Sequence, residues 1–393
     1  MTKRQVYVDN NATTKVDERV VQEMLPYLSE YYGNPSSMHV FGGQVEKKLV
    51  EARERVAAML NAEPTEIVFT SCGTESDNMA IHSALTSSPQ KRHIITTKVE
   101  HPAVLNYCKH LSKRGYGVTF LSVDQDGMVD VDELYDSIRE DTAIASIMYA
   151  NNETGTILPL EKLSRIASEK GILFHTDAVQ VAGKIPLDMQ EIETIDMLSL
   201  SGHKFHAPKG IGILYIRRGT KFRPLLVGGH QERGRRPGTE NTASIIAIGK
   251  AAELAQAALK DEATRVKALR DRLEQGLLST IPDSRVNGHA TQRTPNTLNI
   301  SFKYVEGEAI LLMLSEKGIA ASSGSACTSG SLEPSHVLRA LGVPFTFSHG
   351  SLRLSLSRFN TEDDIDYILE ELPPIIRRLR EISPFGRNKE EPQ

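Results

Sequence analysis

The chain has 393 residues, a formal net charge of -4, 39% hydrophobic residues and three cysteines. That length accommodates two domains, and a small negative charge with no basic face argues against nucleic acid or an acidic membrane as the main partner. Cys72, Cys108 and Cys327 lie far apart with no CxxC pair, so neither a disulfide framework nor a local zinc site is encoded.

The segment Met1 to Asp9 has no apolar core of signal-peptide length, and no run approaches the ~20 apolar residues of a membrane span. A protein that stays in the reducing cytoplasm is expected. In chain order, Ile67 to Thr70, His93 to Thr96, Val118 to Leu121, Ala143 to Met148, Ile172 to Phe174, Ile195 to Leu200 and Ile211 to Tyr215 read as strands, being apolar runs bounded by turn residues. Helical patterns fall between most of them, as at Asn78 to Leu85, Val104 to Lys113 and Leu160 to Lys170. The alternation predicts an α/β fold, with a large, doubly wound, mostly parallel sheet domain over residues 15–257. A helical stretch from Thr242 to about Thr280, rich in Ala, Leu, Glu, Lys and Arg, leads out of it. Residues 1–14 and 258–393 are then expected to form a smaller α+β domain, with strands at Asn296 to Phe302 and Leu352 to Leu356. A closing helix is expected from Thr361 to Arg380 with Thr361 as its cap, and Gly386 to Gln393 are expected to fray.

Polar residues gather where these strands should end. The run Thr70 to Asn78 joins a strand to a helix, and a helix N-terminus binds anions through unpaired N–H groups and its dipole. Gly73 allows close backbone approach and Thr74 adds a hydroxyl; a plain capping box, Thr74 with Asp77 or Ser71 with Thr74, explains the same residues. His101 can lie over a planar ring or cap a helix, and Asn151 to Gly155 can face a crevice or form a tight turn. Asp177 closes a buried strand, where it either caps the next helix or meets a cation. Lys204, in Ser201-Gly202-His203-Lys204, is either a solvated loop lysine or an amine for Schiff-base chemistry, with Ser201 and His203 beside an anion. Pyridoxal 5'-phosphate (PLP) would satisfy the last two residues together, with Asp177 on its ring nitrogen and Lys204 on its aldehyde.

Ordered motifs sharpen this. DNNATT (Asp9 to Thr14), GNPSS (Gly33 to Ser37), EHPAV (Glu100 to Val104), NNETG (Asn151 to Gly155), HTDAVQ (His175 to Gln180), SGHKFHAPKG (Ser201 to Gly210), GTEN (Gly238 to Asn241) and SSGSACTSGSLEPSHV (Ser322 to Val337) resemble the NifS/IscS cysteine desulfurases, which are fold-type I PLP enzymes of the aspartate-aminotransferase type. SCGTESD and GGHQERGRR resemble the NifS branch more closely.

The resemblance implies a role for each matched residue. Lys204 would hold the cofactor covalently and serve as the base, Asp177 would pair with the pyridine nitrogen, His101 would stack on the ring and Gln180 would bond its phenolic oxygen. Gly73, Thr74, Ser201 and His203 would hold the phosphate, joined by Thr239 from the second subunit of a homodimer. Asn152 and Arg353 would position L-cysteine, with Arg353 clamping its carboxylate. Cys327 would accept the sulfur as a persulfide, release alanine and deliver the sulfur to an iron–sulfur scaffold or other acceptor protein, nitrogenase maturation included; its setting of small residues and glycines suits a moving carrier better than a buried thiol. No resident metal is expected, beyond transient contact of Cys327 with a cluster iron. Cys72 and Cys108 read as small buried hydrophobes. The competing readings are a selenocysteine lyase, another fold-type I PLP enzyme such as a transaminase, and a non-catalytic docking partner of an iron–sulfur scaffold.

Overall fold

The computed structural model describes residues 4–323 and 334–383. In chain order its strands are β1 (Val6–Tyr7), β2 (Ile67–Thr70), β3 (His93–Thr97), β4 (Gly117–Leu121), β5 (Thr142–Ser146), β6 (Leu173–Asp177), β7 (Met197–Ser201), β8 (Gly212–Ile216), β9 (Ser284–Val286), β10 (Thr297–Phe302), β11 (Ile319–Ala320) and β12 (Ser351–Ser355). Seven of them form one sheet in the order β2-β8-β7-β6-β5-β3-β4, parallel except where β8 runs against both neighbours. This is the mostly parallel α/β architecture that the alternating pattern predicts.

Each strand feeds two cores, because successive side chains point to opposite faces. Val68, Ile94, Ile144, Met197 and Leu214 pack with Met79, Ile81, Val104 and Cys108 on one face. Their neighbours Ile67, Phe69, Ile95, Ala145, Leu198, Ile213 and Tyr215 pack on the other with Val45, Val56, Leu163 and Ile246. Helices therefore cover both faces, and the polar strand ends are left to build a site.

A third core draws on both ends of the chain. Val6 and Val8 join Val266, Leu273, Leu298, Ile300, Phe302, Leu352, Leu354, Ile368 and Leu372. Around it lie the antiparallel sheet β12-β10-β9 and the parallel pair β1-β11. The helix Glu362–Ile382 closes this unit, capped by Thr361 in a reciprocal box with Asp364.

Two elements depart from the sequence pattern. The stretch expected to run unbroken from Thr242 is a helix Thr242–Asp261, a π turn Glu262–Val266 and a helix Lys267–Thr280. Both Glu262 and Val266 are buried there, and composition cannot register the one extra residue of a π turn. The helix expected from Asn78 begins at Gly73, with Cys72 at the cap position and no side-chain cap. Neither expected capping box forms; Glu75 instead reaches back and accepts from the Ser71 N–H at 2.7 Å. Among the described residues no helix is long and apolar enough to cross a membrane.

The helix Val40–Leu60 meets Thr242–Asp261 at Gly249, where an added Cβ would come within 2.6 Å of the Ala52 Cα. Alanine gains about 1 kcal/mol of helix propensity over glycine, but overpacking a close helix contact costs about 1–3 kcal/mol. Gly249→Ala is therefore expected to lower the melting temperature in a thermal scan; an equal or higher value would show that the two helices separate freely.

Candidate active site

A cavity of about 670 Å³ opens at the carboxyl ends of β3, β6 and β7. Gly73, Thr74, His101, Asn152, Asp177, Gln180, Ser201, His203, Lys204 and Arg353 all line it. Thr239 does not: it is exposed in the loop before the helix Thr242–Asp261. Cys327 lies outside the described residues.

Asp177 ends β6 and is buried. It caps no helix, since turns follow it; one carboxylate oxygen accepts from the Val179 N–H at 2.9 Å. Burial pushes its carboxyl up on balance, while His101, the Val179 N–H and Lys204 draw it part of the way back. A cation in the cavity would complete that compensation.

Lys204 sits in a short 3-10 turn, Gly202–Lys204, which leaves the end of β7 toward the returning strand β8. Its amine donates to the carbonyl oxygens of Asn11 at 2.6 Å and Ala12 at 2.9 Å. It is thus a held amine and not a solvated one. Asn11, whose DNNATT segment had motif value only, is a structural hub: its Nδ2 donates to Thr297 Oγ1 and the Asn152 carbonyl, and its oxygens also accept from Gln180, Lys184 and Asn296.

The remaining residues line the same cavity. At Gly73 an added Cβ would fall 3.0 Å from Val179 Cγ2 and 3.4 Å from Ser201 Cβ, so glycine gives the closest approach of the helix N-terminus to Val179 without displacing its methyl. The free N–H groups of that N-terminus and the adjoining Thr74, Ser201 and His203 suit a phosphate. His203 bonds Thr13 Oγ1 through Nδ1 at 3.2 Å, and burial pushes its ring down to about 4, so it is neutral. His101 fulfils both of its readings: it lines the cavity and caps the helix Pro102–Ser112, with Nδ1 accepting from the Ala103 N–H at 3.2 Å. That bond leaves the neutral ring's proton on Nε2. On the same cavity Arg353, on β12, donates to the Asn152 carbonyl at 3.0 Å and to Asp9 Oδ1 at 2.8 Å, and its buried Nε has no hydrogen-bond partner among the described residues.

Sequence reasoning missed several groups. Cys72 is not a buried hydrophobe like Cys108, whose thiol burial pushes up to about 12; it is half-buried, lines the cavity and occupies the cap position before Gly73. Glu100, immediately before His101, accepts from Thr97 Oγ1 at 2.8 Å and the Met148 N–H at 3.0 Å, leaving Oε2 with no partner among the described residues, and burial pushes it up to about 8. Burial likewise raises Asp77, and raises Glu153 to about 7 although Ser335 Oγ donates to it at 2.5 Å. The polar motifs around these acids were the available signal.

The aminotransferase class-V family model matches residues 6–368. "Cysteine desulfurase 2" of Trichormus variabilis is 64% identical over 98% of this chain and 96% of its own length. The chain belongs to the cysteine desulfurases of the class-V aminotransferase family. "Cysteine desulfurase NifS" of Azotobacter vinelandii is 57% identical over 97% of this chain and 94% of its own. A solved structure, "NIFS-LIKE PROTEIN", superposes with a TM-score of 0.90 at 42% identity, covering 96% of this chain and all of its own. The fold, the family and the enzyme class expected from the motifs are therefore established.

Glu100 gives this desulfurase a distinctive pH response. The folded chain retains its proton to about pH 8, whereas a free glutamate loses it near 4.5. The stability that goes with the neutral form is therefore complete below pH 4.5 and is lost as pH rises toward about 8. Glu100→Gln, which mimics the protonated acid, is expected to match the unmodified chain in melting temperature near ~pH 5 and to exceed it increasingly toward ~pH 8. A difference independent of pH would remove this assignment.

Proposed function

We propose that the chain takes sulfur from L-cysteine with PLP as cofactor, releases L-alanine, and carries the sulfur as a persulfide on Cys327 to an acceptor protein of iron–sulfur cluster assembly in the cytoplasm. The observation that supports it most is the placing of a buried acid, Asp177, and a carbonyl-held amine, Lys204, on one cavity that Arg353 also lines. PLP supplies an aldehyde for an amine and a ring that withdraws electrons when its nitrogen is protonated.

The chain's own groups do the rest. Asp177 would favour the protonated form of the ring nitrogen by supplying the opposite charge, and His101 would hold the ring with a neutral imidazole. Gly73, Thr74, Ser201 and His203 hold the phosphate, and Thr239, exposed in this chain, serves the phosphate of a second copy in a homodimer. Arg353, already braced by Asp9 and the Asn152 carbonyl, receives the substrate carboxylate. Lys204 Nζ, once neutral and released, removes the α-proton. The Cys327 thiolate then attacks the substrate sulfur: an S–S bond forms, the Cβ–S bond breaks with its electrons left on carbon, and a proton on Cβ completes alanine. The three-core packing supports a division into residues 15–257 and a smaller unit of 1–14 with 258–393, except that Val337, Leu338, Leu341 and Val343 pack in the large core.

The purified protein reconstituted with PLP is expected to be yellow, and Cys327→Ala to keep that colour while losing sulfide release from L-cysteine. Turnover unchanged by Cys327→Ala would instead favour a lyase that expels selenium or sulfur without a carrier thiol. Lys204→Ala is expected to abolish steady-state turnover, by at least about a thousandfold, because it removes both the covalent anchor and the base; normal turnover would refute both roles.

A further inference from the structure

Lys184 is a buried lysine for which neither the family reading nor the mechanism has a use. It follows β6 in a run of turns, and its side chain is only 7% exposed. A buried ammonium demands strong acceptors. Lys184 Nζ donates to Gln180 Oε1 at 3.2 Å and to Asn11 Oδ1 at 3.4 Å. Both acceptors serve the cofactor cavity: Gln180 lines it, and the Asn11 carbonyl holds the Lys204 amine at 2.6 Å. The groups acting on Lys184 come from several elements. Glu262, buried in the π turn, attracts it, while Lys204 and Arg353 repel it; burial pushes its amine down to about 7. Glu262 in turn has a buried Oε2 without a hydrogen-bond partner among the described residues.

The consequence lies in the amide of Gln180. An amide side chain presents an acceptor on one side and two donors on the other, and the two orientations have nearly the same shape. With Lys184 donating to Oε1, the Nε2 donors turn the other way, and one of them bonds the Asn11 carbonyl at 3.2 Å. The second donor remains for a ligand. Were the amide reversed, Oε1 would meet the Asn11 carbonyl oxygen and any anionic oxygen in the cavity, both repulsive.

We propose that Lys184 is a positioning residue that fixes the amides of Gln180 and Asn11, so that Gln180 offers an N–H to the phenolic oxygen of the cofactor and Asn11 keeps its carbonyl on Lys204. The inference rests on the PLP reading above and adds to it the residue that selects the donor orientation. Glu262, in the π turn between the helices Thr242–Asp261 and Lys267–Thr280, attracts Lys184, while burial pushes its own carboxyl up to about 7.

A donor on the phenolic oxygen stabilises its negative charge most when the neighbouring imine has lost its proton. Losing that donor therefore raises the pH at which the bound cofactor's visible band changes. Lys184→Met, reconstituted with PLP, is expected to raise this spectral midpoint by about one unit and to weaken PLP binding roughly tenfold. Gln180→Ala should shift the midpoint in the same direction, and combining the two should add little, since both remove one interaction. If Lys184→Met yields too little folded protein, Lys184→Gln replaces it, because its shorter neutral side chain cannot bond both oxygens; it should move the midpoint likewise. A midpoint unmoved in the folded variant, or shifts that add fully, would overturn the proposal. Absence of colour in the unmodified protein would overturn it together with the cofactor reading, whereas normal colour with an unmoved midpoint overturns it alone.

Discussion

Asn11 is the joint on which the site depends. An asparagine residue offers its backbone N–H, two amide hydrogens and four lone pairs on two oxygens. Each is engaged here: the N–H bonds Ser355 Oγ, Nδ2 bonds Thr297 Oγ1 and the Asn152 carbonyl, the backbone oxygen receives Lys204 and Gln180, and Oδ1 receives Lys184 and Asn296. Asn152, Gln180, Lys184 and Lys204 belong to the segments around the large sheet, and Asn296, Thr297 and Ser355 to the small one. Each bond is worth only about 0.5–1.5 kcal/mol net, but a buried partner left unmade costs more. The network therefore resists partial rearrangement, and the place of the Lys204 amine is set by the packing of two separate cores. Such preorganisation holds a reacting amine in position without reordering at the moment of reaction.

Electrostatics then decide where the charge resides. Asp77, Glu100 and Asp177 are all buried, and the charge of Asp177 raises each of the other two. Three ionised carboxylates so close are unfavourable, so the negative charge collects on the acid with the best compensation. Asp177 has basic groups acting on it, since His101 and Lys204 both draw it down, although burial leaves its carboxyl raised. Asp77 has the Ser199 hydroxyl to lower it but no basic group: His175 lies 3.6 Å away, but burial pushes its ring down to about 3, and its nitrogens are taken by Ser146 and Ser199.

The parts of this arrangement that could be read from sequence are those set by local pattern. Strands of apolar residues ending in Asp177, Ser201 or a turn before His101 announce both the sheet and the rim where ligands bind, because strand direction in an α/β fold fixes that rim. Asn11, Lys184 and Glu262 were opaque for the opposite reason: their partners lie far along the chain, and an amide or a lysine in a turn has no local signature. Cys72 misled because a thiol between Ser71 and Gly73 looks like any small residue until a helix is known to start beside it. The π turn was hidden by good helix formers that suit either helical winding.

The division of labour across the two cores also sets where Arg353 and Lys204 stand. Arg353 belongs to the small sheet, yet both of its bonded partners, Asp9 and the Asn152 carbonyl, stand at the seam that Asn11 closes. Lys204 is held at that same seam by the adjoining carbonyls of Asn11 and Ala12. The separation between the guanidinium and the amine is consequently fixed by residues 9–12 rather than by the flexible reach of either side chain.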